Sequence, residues 1–236
     1  MGAVPGSRLL SAPGPREGPD PFDVESFRSA RRRVVLRDVP APVVVLGSTQ
    51  PDDVLDADQL RRRGVRAARR RSGGGAVLLT PGAQLWADLW IPADDPLWSR
   101  EPRRSAVVAG AWWTRALGLD GMEVHGGAST PAPGSDMICF AGLGPGELSV
   151  EGRKVVGLAQ WRSREGVLVH GCAYREWDPG PILELLALPS ARRRMLAVAL
   201  PGVAVGVGDL GVASSWGEVD LLRALPDAQS WDVVRA

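Results

Sequence analysis

Arg69-Arg70-Arg71-Ser72-Gly73-Gly74-Gly75-Ala76-Val77 decides how this chain is read. Three cations run straight into three glycines. A glycine run lets the backbone take left-handed angles and lets a ligand approach without a Cβ in the way. It also frees consecutive N–H groups to point at one anion, the geometry of a phosphate-binding nest. Arginine beside such a loop adds a planar fork of donors suited to phosphate oxygens. Ala76-Val77-Leu78-Leu79 then reads as a strand, so the loop sits at a strand entrance. Taken alone, the stretch is equally a solvated charge run followed by a flexible turn.

A second feature lies far along the chain. Of the 28 lysines and arginines, Lys154 is the only lysine. A chain that uses arginine elsewhere and lysine once points to a place where a compact ammonium serves and a wide guanidinium does not. The surrounding Gly152-Arg153-Lys154-Val155-Val156-Gly157-Leu158-Ala159-Gln160 reads as a strand after a Glu151-Gly152 turn, with Gly157 admitting close approach by another group.

Working outward, 236 residues suffice for one domain with a good core. The net charge of +1 predicts neither a nucleic-acid nor a membrane partner. Two cysteines without paired spacing give no disulfide framework and no zinc site, and no metal cluster is expected. There is no apolar run of membrane-spanning length and no long apolar leader segment, so a reducing cytoplasm is the expected compartment. Met1 to about Asp20, rich in Pro, Gly and Ser, is expected to be disordered or loosely packed, with a short helix over Phe22 to Ala30.

Val34-Val35-Leu36 and Val43-Val44-Val45-Leu46 predict two strands around Pro40-Ala41-Pro42. Asp52 to Arg63 has helical spacing and ends near Gly64, with Arg61, Arg62 and Arg63 as a solvated helix end. Leu85 to Ile91 alternates as a strand with Trp86, Asp88 and Trp90 on one face. An Asp between two indoles reads either as a half-exposed edge position or as guard of an apolar tunnel. Arg103 to Leu117 predicts a helix packed through Val107, Val108, Ala111 and Trp112. Met122 to His125 reads as a strand and Gly126 to Gly134 as loop. Met137 to Ala141, Glu147 to Val150, Lys154 to Arg162 and Val167 to Tyr174 read as further strands, with Lys154, Val156, Leu158 and Gln160 sharing a face. Pro181 to Ala236 reads as mostly helical, with a Ser215-Trp216-Gly217-Glu218 capping box opening its last helix.

The glycine loop, the lysine strand some eighty residues later and the following Leu168-Val169-His170-Gly171 together resemble the lipoate–protein ligase family, from about Val43 to Tyr174. That family shares its catalytic fold with biotin–protein ligases and octanoyltransferases. The resemblance implies an α/β (α+β) fold, a central mixed or antiparallel sheet flanked by helices, with residues 21–236 as one catalytic domain. It implies acyl transfer to a lysine of a lipoyl acceptor domain, on a 2-oxoacid dehydrogenase E2 or a glycine-cleavage H-type protein, with lipoate or octanoate as the acid. In a ligase, ATP and Mg²⁺ activate the acid as an acyl-adenylate. Carried over, Gly73, Gly74 and Gly75 line the acyl and phosphate path beside Ser72. Arg70 and Arg71 face phosphates, Lys154 holds carbonyl and phosphate oxygens, and Asp136 orients the adenylate or Mg²⁺. Gly157 belongs to the lysine strand of the same motif.

Several positions depart from the family pattern. Leu79-Thr80 stands where a His usually follows the loop, and Ser135 where an Asn often precedes the Asp. One branch of octanoyltransferases uses a Cys-Phe pair fifteen positions before the lysine as a thioester-forming nucleophile. Cys139-Phe140 stands there, although that branch breaks the third glycine, which this chain keeps. A thiol reacts as its thiolate, which a neighbouring cation such as Lys154 or an arginine favours. Otherwise Cys139 reads as a small buried hydrophobe, and Cys172 reads as core. His170 sits at a family position for an acceptor or adenylate contact, or is a satisfied core histidine; His125 has only a structural reading. Three functions follow: an ATP-dependent ligase as the leading expectation, a transferase through Cys139 needing no cofactor, and a non-catalytic acyl-binding or scaffold protein.

Overall fold

The computed structural model describes residues 28–213 and 216–235. The expected loose segment at residues 1–20, most of the helix expected over Phe22 to Ala30, and Ser215 of the expected capping box lie outside them.

Among the described residues, ten strands form two sheets. The larger has seven: β1 (Arg32–Leu36), β5 (Gln84–Pro92), β6 (Met122–Val124), β7 (Leu148–Val150), β8 (Arg153–Arg162), β9 (Gly166–Tyr174) and β10 (Trp231–Arg235), in the order β10-β1-β5-β9-β8-β7-β6. It is antiparallel except where β1 and β10 run parallel. The smaller sheet holds β2 (Val43–Leu46) between β3 (Arg66–Arg69) and β4 (Val77–Leu79). The α/β architecture with a mixed sheet and flanking helices is therefore as expected. The two strands expected around Pro40-Ala41-Pro42 are present, and they enter different sheets. The C-terminal segment, expected to be mostly helical, holds α3 (Gly180–Leu185), α4 (Ser190–Ala199) and α5 (Glu218–Arg223), and also an unexpected strand, β10. The Asp220 carboxylate accepts from the Gly217 N–H at 2.9 Å, so α5 is capped from inside its own first turn.

The helix α1 (Ala57–Arg63) starts later than Asp52, because Asp56 is its N-cap and accepts from the N–H groups of Asp58 and Gln59. It ends on left-handed Gly64, and its three terminal arginines are exposed as expected.

Helix α2 (Pro102–Leu117) covers one face of the large sheet. Its buried face runs through Ala106, Ala109, Gly110, Trp112, Trp113 and Ala116; Val107 is exposed, and Ala111 and Val108 are only partly covered. Large apolar residues alone mispredict this face because the helix presses on the backbone of a neighbouring loop. A Cβ on Gly110 would lie 2.2 Å from the Gly146 carbonyl oxygen. Only small residues permit that approach, and it seats the Gly142–Glu147 loop, which closes over the lysine strand.

Two features of β5 and β8 set the face that matters. β5 lies inside the sheet, between β1 and β9, so Asp88 is fully buried rather than on a half-exposed edge. In β8, Leu148 opposes Val156 but Ser149 opposes Lys154, leaving Val155 as an extra residue. This is a β-bulge. Val155 and Val156 both enter the helix-side core, while Lys154 turns to the opposite face, shared with Gly157. A Cβ on Gly157 would lie 3.3 Å from the Lys154 Cε. The expected common face of Lys154, Val156, Leu158 and Gln160 is thus broken by one residue of slippage.

Candidate active site

The glycine loop and the lone lysine meet. Gly73, Gly74, Gly75, Cys139, Glu147 and Lys154 line one cavity of about 580 Å³. Its size and partly apolar lining suit a small-molecule site.

The loop is held by hydrogen bonds to its neighbours. Ser48 donates its N–H to the Ser72 carbonyl at 2.9 Å. Ala76 donates to the Met137 carbonyl, and Cys139 donates back to the Ala76 carbonyl at 3.0 Å. That single bridge, with Ala76 beside Ile138, is all that the strand expected over Met137 to Ala141 amounts to; Cys139–Ala141 continues as a turn of 3₁₀ helix. A full strand is prevented because the segment's pairing ends where the 3₁₀ turn begins, and the turn is what carries Cys139 to the cavity. The bridge needs Gly75: a Cβ there would lie 2.6 Å from the Ile138 carbonyl carbon and 2.7 Å from the Cys139 nitrogen. Both are backbone atoms, so they cannot step aside. Gly75→Ala is expected to cost about 1–3 kcal/mol by overpacking, measurable as a lowered urea midpoint, and to displace Cys139.

Among the described residues, no acceptor takes the N–H groups of Gly73, Gly74 or Gly75. These three residues line the cavity with their backbone donors unclaimed by the protein.

The cations do not behave as that reading expects. Arg70 is buried and donates to the carbonyls of Val45, Gly73 and Gly75 at 3.2, 2.7 and 2.9 Å. It braces the loop from behind; burial lowers its pKa, and neighbouring groups partly oppose that shift. Arg71 packs over the Trp161 ring at 5.3 Å. Ser72 is buried with an unpaired hydroxyl. None of the three lines the large cavity. Asp136 is exposed and pairs with Arg192 on α4 at 2.6 Å, away from the cavity lining. Arg70 and Arg71, expected as phosphate contacts, and Asp136, expected as an adenylate or Mg²⁺ contact, thus stand apart from the residues that line the cavity. Among the described residues, no three His, Cys, Asp or Glu side chains converge as a metal site.

Lys154 is 2 % exposed, and its three donors are all engaged. Nζ lies 2.7 Å from the Glu147 Oε1, 2.7 Å from the Cys139 carbonyl and 3.0 Å from the Gly142 carbonyl. The Phe140 ring lies 5.2 Å away. Lys154 therefore clamps the segment that carries Cys139, rather than presenting unpaired protons to a substrate oxygen. Glu147 went unrecognised in the sequence. Its carboxylate also accepts from the Leu158 N–H at 2.9 Å and the Gly144 N–H at 2.5 Å. The usable signal was a lysine on a buried strand, which demands a carboxylate; Glu147 immediately precedes the strand that pairs with it.

The two thiols differ. Cys139 is partly exposed on the cavity wall, whereas Cys172 is buried and burial pushes its thiol far up. A narrow slot of about 10 Å³ adjoins, lined by Cys139, Gly157, Cys172 and His170. The Gly157 position is occupied closely by Phe140 and Lys154, so the expected close approach is to side chains of the site itself.

The model of the lipoyl protein ligase A/B catalytic domain matches residues 25–195. The chain belongs to this family. Among sequence relatives of this family member, octanoyltransferase LipM of Kyrpidia tusciae is 30% identical over 146 residues, 59% of this chain and 53% of that protein. LipM of Carboxydothermus hydrogenoformans is 28% identical over 160 residues, 65% of this chain and 56% of that protein. The chain thus spans about half the length of the curated relatives it matches. Among solved structures, the bipartite lipoate protein ligase of Thermoplasma acidophilum superposes with a TM-score of 0.66 at 18% identity, covering 90% of this chain and 77% of that one. A lipoate-protein ligase A bound with ATP superposes with a TM-score of 0.62 at 20% identity, covering 90% and 78%. These two share the fold of this family member. Among the described residues, no helix is long and apolar enough to cross a membrane.

Proposed function

We propose that this chain is an acyltransferase that moves an octanoyl-type chain from a carrier thioester to a lysine of a lipoyl acceptor domain, with Cys139 as the covalent relay. The observation that carries this reading is the placement of Cys139. It is the accessible thiol of the two, it sits on the wall of the cavity formed with the glycine loop, and its backbone is fixed by Lys154. The relatives named octanoyltransferase LipM agree with it.

The chemistry runs in two balanced steps. Cys139 Sγ, having given up its proton, attacks the thioester carbonyl; the carrier sulfur leaves and takes up a proton. The acceptor ε-amine then attacks the Cys139 thioester, forming the amide as the amine loses a proton and Cys139 regains one. In both steps the carbonyl oxygen becomes an oxyanion. The available N–H groups of Gly73 to Gly75 are the donors placed to receive it, while the buried Lys154–Glu147 pair holds the nucleophile's segment still.

The ATP-dependent ligase reading meets a poor fit. A nucleoside triphosphate with Mg²⁺ is strongly anionic, yet the charged lining of the cavity among the described residues is Arg103, Glu147 and Lys154. Lys154 is already neutralised by Glu147, Arg70 is turned inward, and Asp136 faces elsewhere. No step through ATP is derived for this site.

Incubation with an apo lipoyl domain, followed by intact-mass measurement of that domain, separates the readings. Octanoyl carrier protein without ATP is expected to acylate it, and Cys139→Ser is expected to lower the rate by at least ~10³-fold. Acylation only with octanoate and ATP, indifferent to Cys139→Ser, would establish the ligase. Acylation under neither condition would leave a non-catalytic homologue.

A further inference from the structure

Behind the cavity lies a buried polar cluster that the steps above do not use. Asp88 is fully buried on β5, directly opposite His170 on β9. Its carboxylate oxygens lie 2.6 Å from the His170 Nδ1, 2.7 Å from the Trp86 Nε1 and 2.5 Å from the Arg37 Nε. Burial raises the Asp88 pKa, but His170 and Arg37 outweigh it and hold the carboxyl down at about 2. An ionised carboxylate only accepts hydrogen bonds, so His170 Nδ1 must carry the proton. In a neutral imidazole the other nitrogen, Nε2, then presents a bare lone pair.

That nitrogen has no hydrogen-bond partner, although the residue is only 3 % exposed. A buried polar atom without a partner is costly. His170 also lines the narrow slot, and Cys139 lines it too. The slot is close to the smallest space that holds one water.

We propose that His170, oriented by Asp88, is the general base and acid of the acyl transfer at Cys139. This assignment rests on the thioester reading of the site. His170 Nε2 takes the Cys139 thiol proton, directly or through one water, as Sγ attacks the carrier thioester, and returns it to the departing carrier sulfur. In the second step Nε2 takes the proton that the acceptor amine loses, and returns it to the Cys139 sulfur as the C–S bond breaks. Asp88 stays ionised throughout and fixes the tautomer, and Arg37 holds Asp88. This division of labour accounts for a carboxylate, an imidazole and an unpaired nitrogen buried in a sheet where apolar side chains would pack at lower cost. It also leaves Lys154, whose donors are engaged, a positioning residue.

The test has two arms. In the first, single-turnover formation of octanoyl-Cys139 is followed by mass spectrometry with octanoyl carrier protein. His170→Gln is expected to slow it ~10²–10³-fold, and added imidazole is expected to restore much of the rate to His170→Ala. A folded His170→Gln protein that acylates Cys139 at the wild-type rate would overturn the assignment while leaving the thioester reading standing. A wild-type protein that never acylates Cys139 would instead sink the thioester reading. The second arm needs no variant of the cluster and no acyl substrate. The chain has two histidines, so ¹⁵N spectra with His125→Gln as reference assign His170. A proton on Nδ1 and a bare Nε2 are expected, with the Nε2 signal shifting when iodoacetamide alkylates Cys139. An Nε2 protonated in the neutral ring, or unmoved by alkylation, would refute the pairing.

Discussion

Lys154→Arg is expected to transfer acyl groups no better than Lys154→Ala, with both at least ~10²-fold below the wild-type protein. Charge is the same in lysine and arginine, so the expectation rests on shape. The ammonium meets three acceptors, on Glu147, Cys139 and Gly142, at 2.7, 2.7 and 3.0 Å. A tetrahedral group with rotatable protons satisfies three converging oxygens; a planar fork does not. Phe140 packs beside it, and the Lys154 side chain is itself buried. A guanidinium must therefore push out the 139–142 turn and move Cys139 with it. Intact-mass assays of the acceptor domain measure both variants. A Lys154→Arg protein within tenfold of wild type would show that charge alone suffices.

Glu147→Ala is expected to lower unfolding free energy by about 3–5 kcal/mol, the usual result of stranding one member of a buried ion pair. The partner side chains are 2 % and 6 % exposed, so water does not screen the loss. Two backbone donors, on Gly144 and Leu158, lose their acceptor as well. Glu147→Gln keeps the shape and at least one of these bonds, and should fall between wild type and alanine. Urea unfolding measures the series. A loss below about 1 kcal/mol for alanine, the range of an exposed pair, would mean that Lys154 is not held as described.

The strand pattern was legible because it depends on local properties, such as period-2 alternation and a Glu151-Gly152 turn, whereas the meeting of glycine loop and lysine was legible only through the resemblance of the paired motifs to a known family. The glycine at 157 and the helix stop at 64 were legible from local properties too. What was not legible depends on neighbours distant in sequence. The bulge at Val155 arises from pairing with β7 and reverses which β8 residues join Lys154. Asp88 looked like an edge residue because alternation does not say how many strands lie beyond. Arg70 looked like a phosphate ligand because its number of carbonyl partners is set by the loop's fold, not its composition. β10 was missed because a short strand next to apparent helices is recruited by β1, some two hundred residues earlier.

The pairing of β10 with β1 has a consequence for assembly. Val34 lies opposite Val233 and Leu36 opposite Arg235, so one border of the large sheet is completed by residues some two hundred positions further along the chain. Until they pair, β1 offers a naked row of amide and carbonyl groups, a template for sticking to other chains. Contacts of such long sequence separation also form slowly. The docking of β10 onto β1 is therefore a late, protective step in closing this border of the sheet.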